Sequence, residues 1–427
     1  MSRQMKDSSI PWIGEIPETW AVIRTKNVFE CSKELVGEDW KNTQLLSLTT
    51  KGIKAVEIGS TSGKVPDSYE TYQKVAKDKI VMCLFDLDCS AVFSGLSPIC
   101  GMISPAYKVL NVLDGYYPKF YSYWFDYIFD GRKYKYLSKN IRYSLTYDEF
   151  AALGIAAPPY KEQQRIADFL DQKCGEVDEM VSLQEKIIEE LKAYKQAIIT
   201  EAVCKGLNPD AEMKDSGVEW IGETPMGWKV TPLKRILNKP LQYGANESGL
   251  PYDENLPRYV RITDILDNRL REDIQKQSLT EEQANGFILD DNDILFARSG
   301  GTVGKAFIYK QKYGRCAFAG YLIKASIAVQ NCSQYVYYYT QSSCYEEWKK
   351  RIFIQSTIQN IGADRYSIME IPLPTLYEQQ QIADYLDKKC SEIDAMIAIK
   401  QQKIEELKDY KKSIIYEYIT GKKEAAK

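Results

Sequence analysis

Met5-Lys6-Asp7-Ser8 recurs as Met213-Lys214-Asp215-Ser216, and the words that follow recur with it. Trp12-Ile13-Gly14-Glu15, Pro17 and Trp20 in the first copy become Trp220-Ile221-Gly222-Glu223, Pro225 and Trp228 in the second. A longer match sets Glu162–Ile199 against Glu378–Ile415 at a fixed offset, with 22 of 38 positions identical. It reads EQQRIADFLDQKC…IEELKAYK in one copy and EQQQIADYLDKKC…IEELKDYK in the other. Self-similarity of this kind fixes an architecture before any single residue is interpreted. Between the matched words, residues 21–157 and 229–373 differ almost completely, and each is about the size of one domain. Two similar frames carrying two dissimilar inserts imply one task performed on two targets.

The matched segments read as helices. Ile166, Leu170, Cys174, Val177, Val181, Ile188, Leu191, Tyr194 and Ile198 fall in steps of three and four, with one polar break at Gln184. Ile382, Leu386, Cys390, Ile393, Ile397, Ile404, Leu407, Tyr410 and Ile414 repeat them, with the break at Lys400. About 36 helical residues are expected in each, roughly 54 Å at 1.5 Å per residue. Pro158-Pro159 and Pro372/Pro374 mark the starts, and Gly206 marks the first end. A lone stripe could be a core helix, but two matched stripes in one chain point to mutual packing as an antiparallel coiled coil. Such a pair would hold the two inserts at opposite ends of a rod.

The inserts read as mixed α/β. Lys79–Phe85, Asp293–Ala297, Ala306–Tyr309 and Tyr321–Ala325 are β-rich runs separated by Gly and Asp/Asn turns. Phe120–Phe125 and Gln334–Tyr339 read as buried amphipathic elements. The fold class is therefore α+β, an internal pseudo-twofold repeat with two mixed domains separated by two long packed helices.

Composition removes much chemistry. The chain has 427 residues and no histidine, so Ser-His-Asp and Cys-His triads and His-containing zinc sites cannot be built. None of its ten cysteines forms a CxxC pair, and Cys174 and Cys390 read as buried thiols of a reducing compartment. No apolar leader or 18-residue apolar run is present, which reads as a cytoplasmic, non-membrane protein. Three near-motifs also fail. Gly300-Gly301-Thr302-Val303-Gly304-Lys305-Ala306 lacks the spacing and hydroxyl of a phosphate loop and reads as a turn between strands. Ala157-Pro158-Pro159-Tyr160 lacks the Asn or Asp of an amino-methyltransferase motif, and Pro209–Lys214 places its carboxylates in a linker. No catalytic, metal-binding or cofactor-binding residue is assigned.

The net charge of −3 conceals segregation. No Asp or Glu occurs from Ile294 to Tyr345, where Arg298, Lys305, Lys310, Lys312, Arg315 and Lys324 lie, nor from Gly131 to Tyr147. In the latter stretch Arg132, Lys133, Lys135, Lys139 and Arg142 interleave with Tyr134, Tyr136 and Tyr143. One such segment reads as a solvated basic face. One in each insert points to nucleic acid, through phosphate contact and stacking.

The order and duplication of these words resemble the specificity subunit of type I restriction-modification systems. Three features carry the resemblance: the repeated Trp-Ile-Gly-Glu-x-Pro-x-x-Trp; Ile371-Pro372-Leu373-Pro374 leading into Glu378-Gln379-Gln380-Gln381-Ile382-Ala383; and the Ile-Glu-Glu-Leu-Lys-x-Tyr-Lys tails. Asp293–Gly300 and Ser104-Pro105-Ala106-Tyr107 also look like the family's target-recognition domains. The resemblance implies domains at 1–157 and 228–373, spacer helices at 158–206 and 374–427, and a linker with the repeat start at 207–227. It implies that each domain reads half of a bipartite, asymmetric double-stranded DNA site, with the helices as a ruler for the spacer. Two methylation subunits carrying S-adenosylmethionine would dock on the helices, and restriction subunits using ATP and Mg, where they join, would add cleavage. The chain itself would be non-catalytic. Candidate DNA-binding residues are Arg132, Lys133, Lys135, Lys139, Arg142 and Tyr143 in the first domain. In the second they are Arg298, Ser299, Lys305, Gln359, Asn360 and Arg365. Two other readings stand beside this one: a protein-binding coiled-coil adaptor of the same family, and an enzyme with its own methyl-transfer or nuclease activity.

Overall fold

The computed structural model describes residues 3–10, 12–50, 52–59, 66–87, 93–130, 144–266, 268–354 and 360–425. Two compact units emerge, Met1–Glu185 with Gln402–Lys427, and Lys186–Gln401. Each unit contains one insert and part of each long helix.

The helices run over Tyr160–Lys205 and Leu376–Ile419, 46 and 44 residues rather than the expected 36. The apolar stripe counts only the residues that pack, whereas the helices continue until a glycine stops them. Gly206 (φ +79°) and Gly421 (φ +72°) take the left-handed conformation that ends a helix cheaply only for glycine. Each glycine is lodged against a frame tryptophan. A Cβ on Gly206 would sit 3.2 Å from the Trp228 ring, and one on Gly421 would meet Pro17 and the Trp20 ring within 3 Å.

Antiparallel pairing of the helices is present in both units. In the first, Phe169 packs on Tyr418 with ring centroids 4.3 Å apart, and Lys411 binds Asp178 at 2.7 Å. In the second, Lys195 binds Asp394 at 2.7 Å. Asp178 and Asp394 occupy equivalent positions of the repeat, as do Lys195 and Lys411. Each unit thus holds its own copy of the same Asp–Lys pair. Ile166, Leu170, Cys174, Val177 and Ile188 are buried along the seam, with Ile382, Leu386, Cys390, Ile393 and Ile404 as counterparts. Tyr194 and Tyr410, expected in the stripe, are instead more than half exposed. Six residues after Ile188 at about 100° each, position 194 stands roughly 120° away from it around the helix.

The inserts, unlike in sequence, share the strand order of one four-stranded sheet. Each opens and closes on two strands paired with each other: Ala21–Arg24 with Gly154–Ala157, and Lys229–Pro232 with Glu370–Leu373. Inside the first, an antiparallel sheet has the order Phe29–Cys31, Lys108–Val112, Ile80–Met82, Ser94–Leu96. Inside the second, the order Gln242–Tyr243, Leu322–Ala325, Ile294–Ala297, Ala306–Ile308 follows the same path. The β-rich runs read from sequence supply three strands of the second sheet and one of the first. The aromatic runs form helices Pro118–Asp130 and Ser333–Tyr339, whose rings fill the cores.

One side chain per copy fastens each insert to its long helix. Gln163, fully buried, donates to the Pro158 carbonyl at 2.7 Å and accepts the Tyr117 N–H at 2.8 Å. Gln379 donates to Pro374 O (2.9 Å) and Asn331 Oδ1 (3.2 Å), and accepts the Cys332 N–H (2.8 Å). Tyr117 and Cys332 each immediately precede an insert helix, so the glutamine satisfies a donor at that helix start. A second fastening repeats as well: Tyr123 donates to Asp171 at 2.8 Å, and Tyr338 to Asp387 at 2.6 Å.

Candidate nucleic-acid interface

In the second insert the strand Ile294–Ala297 is wholly buried, and its chain emerges at Arg298. The glycine-rich segment then turns back: Gly304 N–H donates to Ala297 O at 2.8 Å, and Ala297 N–H to Lys305 O at 2.9 Å. The turn is the one expected from sequence. Gly304 sits at φ +80°, and a Cβ there would lie 2.3 Å from the Lys349 side chain. Two buried tyrosines pin the ends of the turn, Tyr366 donating to Ala297 O (3.2 Å) and Tyr345 to Gly304 O (2.6 Å). Burial pushes both phenols above their ordinary range, which keeps them protonated as donors.

The segment beginning at Asn360 lies alongside. Ser299 and Asn360 form an antiparallel bridge, and Ile361 N–H donates to Arg298 O at 2.9 Å. The short helix Ala363–Ser367 follows, carrying exposed Arg365. Arg298, Ser299, Lys305 and Asn360 thus converge at the end of one strand and its turn, with Lys305 and Asn360 exposed. Arg132, Lys133, Lys135, Lys139, Arg142, Tyr143 and Gln359 lie outside the described residues.

Two residues not singled out from sequence complete the surface. Tyr243 lies beneath Arg298, with the guanidinium carbon 4.9 Å from the ring centroid. Its hydroxyl accepts the Ala363 N–H at 3.0 Å. Tyr321 is 67% exposed, and its carbonyl accepts the Arg298 N–H at 3.1 Å. A signal was available in the adjacent glycines: Gly244 follows Tyr243 and Gly320 precedes Tyr321. A Cβ on Gly244 would fall 2.3 Å from Phe318 O, and one on Gly320 would fall 1.9 Å from Asn246 Oδ1. The surface offers guanidinium, ammonium, carboxamide and aromatic groups on a rigid sheet end. Such an assembly suits phosphate and base-edge contact.

On the long helices, exposed apolar residues recur at equivalent places: Met180 and Leu183 in the first unit, Met396 and Ile399 in the second. Among the described residues, no helix is long and apolar enough to cross a membrane.

Residues 226–409 match the family model described as the type I restriction modification DNA specificity domain. The type I restriction enzyme MjaVIII specificity subunit of Methanocaldococcus jannaschii is 25% identical over 289 residues, covering 64% of this chain and 63% of that protein. The putative MjaX specificity subunit of the same organism is 25% identical over 459 residues, covering 96% and 95%. A solved structure concerned with complex assembly and conformational transition of the type I R-M system superposes with a TM-score of 0.71 at 16% identity, over 95% of this chain and 98% of that one. That likeness is one of fold.

Proposed function

We propose, on the premise that residues 226–409 belong to the type I restriction modification DNA specificity domain family and that the first half repeats their frame, that the chain is a DNA-recognition subunit of a type I restriction-modification complex. The observation that carries this reading is that one four-stranded sheet order recurs in two inserts of unlike sequence inside a duplicated frame. Each insert reads one half of a split, asymmetric double-stranded site, and the long helices set the unspecified spacer between the halves.

The chain binds and positions; it does not carry out the transfer. S-adenosylmethionine belongs to partner methylation subunits, and ATP and Mg to restriction subunits where they join. Exposed Met180 and Leu183 in one unit, and their repeat equivalents Met396 and Ile399 in the other, support docking of two copies of the same methylation subunit. Lys305 and Arg365 supply sequence-independent phosphate contacts, while Arg298, Ser299 and Asn360 face base edges. The basic residues at 132–142 and Tyr143 do the same work for the first half-site, and Gln359 joins Asn360.

The test is co-expression of the chain with its methylation subunit in a methylation-deficient host, with genome-wide mapping of N6-methyladenine. One split motif of fixed spacer, absent when the chain is omitted, is the expected result. A stable complex that leaves the genome unmethylated would favour the protein-binding adaptor.

A further inference from the structure

The half-buried and buried arginines of the second unit divide into two kinds. Arg258, Arg261, Arg271 and Arg351 each face a carboxylate, on Glu272, Asp264, Asp273 and Glu219 respectively. Arg298 faces none among the described residues, and its Nε, like those of Arg258 and Arg351, is buried without a hydrogen-bond partner there. A guanidinium left uncommitted in a half-buried position costs stability unless something else completes it. Its conformation is nonetheless set. The guanidinium carbon lies over the Tyr243 ring, the Tyr243 hydroxyl is held by Ala363 N–H, and the Arg298 backbone is fixed by Tyr321 O and Ile361 N–H. With Nε buried, the pair of terminal nitrogens, Nη1 and Nη2, is the edge left to a ligand, and that fork matches the O6 and N7 acceptors of guanine.

The first unit shows what replaces this arrangement. Leu145 N–H donates to Leu84 O at 2.7 Å just beyond the strand Ile80–Met82, as Ile361 N–H donates to Arg298 O beyond Ile294–Ala297. Leu145 and Ile361 are separated by the same offset that relates the two long helices. Leu84 is therefore the counterpart of Arg298, and it is buried in the hydrophobic core. The guanidinium fork exists at this place in one insert only.

We propose that Arg298 is a specificity-determining residue that reads a guanine in one half-site, with Tyr243 as its positioning residue, and that Leu84, at the equivalent place of the first insert, supplies no such contact. The inference rests on the DNA-recognition reading above. Lysine cannot present the fork, and an aliphatic side chain at 243 cannot hold the plane.

The experiment uses the complex of the full chain with its methylation subunit, bound at fixed salt to short duplexes carrying the mapped motif and followed by fluorescence anisotropy. Each guanine is replaced in turn by 7-deazaguanine, which lacks the N7 acceptor. One replacement, in one half-site, weakens the wild-type complex by about tenfold, within the roughly 5- to 150-fold range of a bidentate pair. Arg298→Met loses that sensitivity, and so does Tyr243→Leu, while recognition of the other half-site is unchanged. Tyr243→Phe, which keeps the ring, keeps most of the sensitivity. A merely structural role for Tyr243 would lower affinity at every position alike. Full discrimination retained by Arg298→Met, a uniform loss with no position-specific change, or a motif with no G·C pair in the affected half-site would each overturn the proposal. A wild-type complex that yields no split motif would overturn the underlying reading instead, and this inference with it.

Discussion

Gln379 and Gln380 are sequence neighbours on the second long helix with opposite expected sensitivities. Gln379 is 1% exposed and makes three hydrogen bonds, to Pro374 O, Asn331 Oδ1 and the Cys332 N–H. Gln380 is exposed and, among the described residues, donates to Asp384, one turn along, at 2.9 Å. Truncating Gln379 to alanine deletes the three bonds and orphans a buried carbonyl and a buried N–H, at about 1 kcal/mol or more for each group. A loss of about 3–5 kcal/mol follows, a large share of a typical domain's stability. Gln379→Met, which keeps the volume but not the bonds, recovers about 1 kcal/mol or less. Gln380→Ala changes stability by about 0.5 kcal/mol or less. Urea titrations of the full chain, followed by far-ultraviolet circular dichroism, give the free-energy difference from the midpoint shift at constant slope. A Gln379→Ala protein within about 1 kcal/mol of Gln380→Ala would refute the argument that this glutamine fastens the insert to the helix.

Three further outcomes are expected. Gly304→Ala, forced to φ +80° and against Lys349, costs about 1–3 kcal/mol; it should lower the melting temperature and the affinity for DNA together, while Gly301→Ala, with open space around it, should leave stability nearly unchanged. Burial pushes the Cys174 and Cys390 thiols from 9.0 up to about 11, so the reactive thiolate appears only as pH rises toward that value. At pH 8 both should alkylate with iodoacetamide about 100-fold more slowly than in urea, as read by peptide mass spectrometry, whereas exposed Cys100 should react at once; equal rates for all three would contradict their burial. One heptad inserted beside Gln184 and another beside Lys400 lengthens each helix by about 10 Å, or about three base pairs of duplex. Methylation mapping should then show a longer spacer between unchanged half-sites, and altered half-sites would contradict the ruler.

The frame was legible because it is written twice, and repetition turns weak words into strong ones. The helices were legible from their periodicity, but not their full length, because residues beyond the packed stripe leave no apolar trace until Gly206 and Gly421 end them. The sheet order common to the two inserts was not legible. Strand order is carried by backbone hydrogen bonds that accept many side-chain sequences, so Ile80–Met82 and Ile294–Ala297 occupy the same place without resembling each other enough to align. Arg298, Ser299, Lys305 and Asn360 were found by their position around a strand end and a glycine turn, and the structure brings them together. Tyr243 was missed because its partner lies 55 positions away, and only tertiary structure places its ring under the guanidinium.

The central claim is that each insert is a self-contained reader held by an interchangeable frame. Both inserts begin and end on strands paired with each other, so residues Lys229–Leu373 can be grafted in place of Ala21–Ala157 with the flanking frame retained. N6-methyladenine mapping of a host expressing this chimera with the methylation subunit should reveal a palindromic split motif, two inverted copies of the half-site that the wild-type chain's second insert reads. Methylation at the original asymmetric motif, or at any motif lacking that inverted symmetry, would contradict the account.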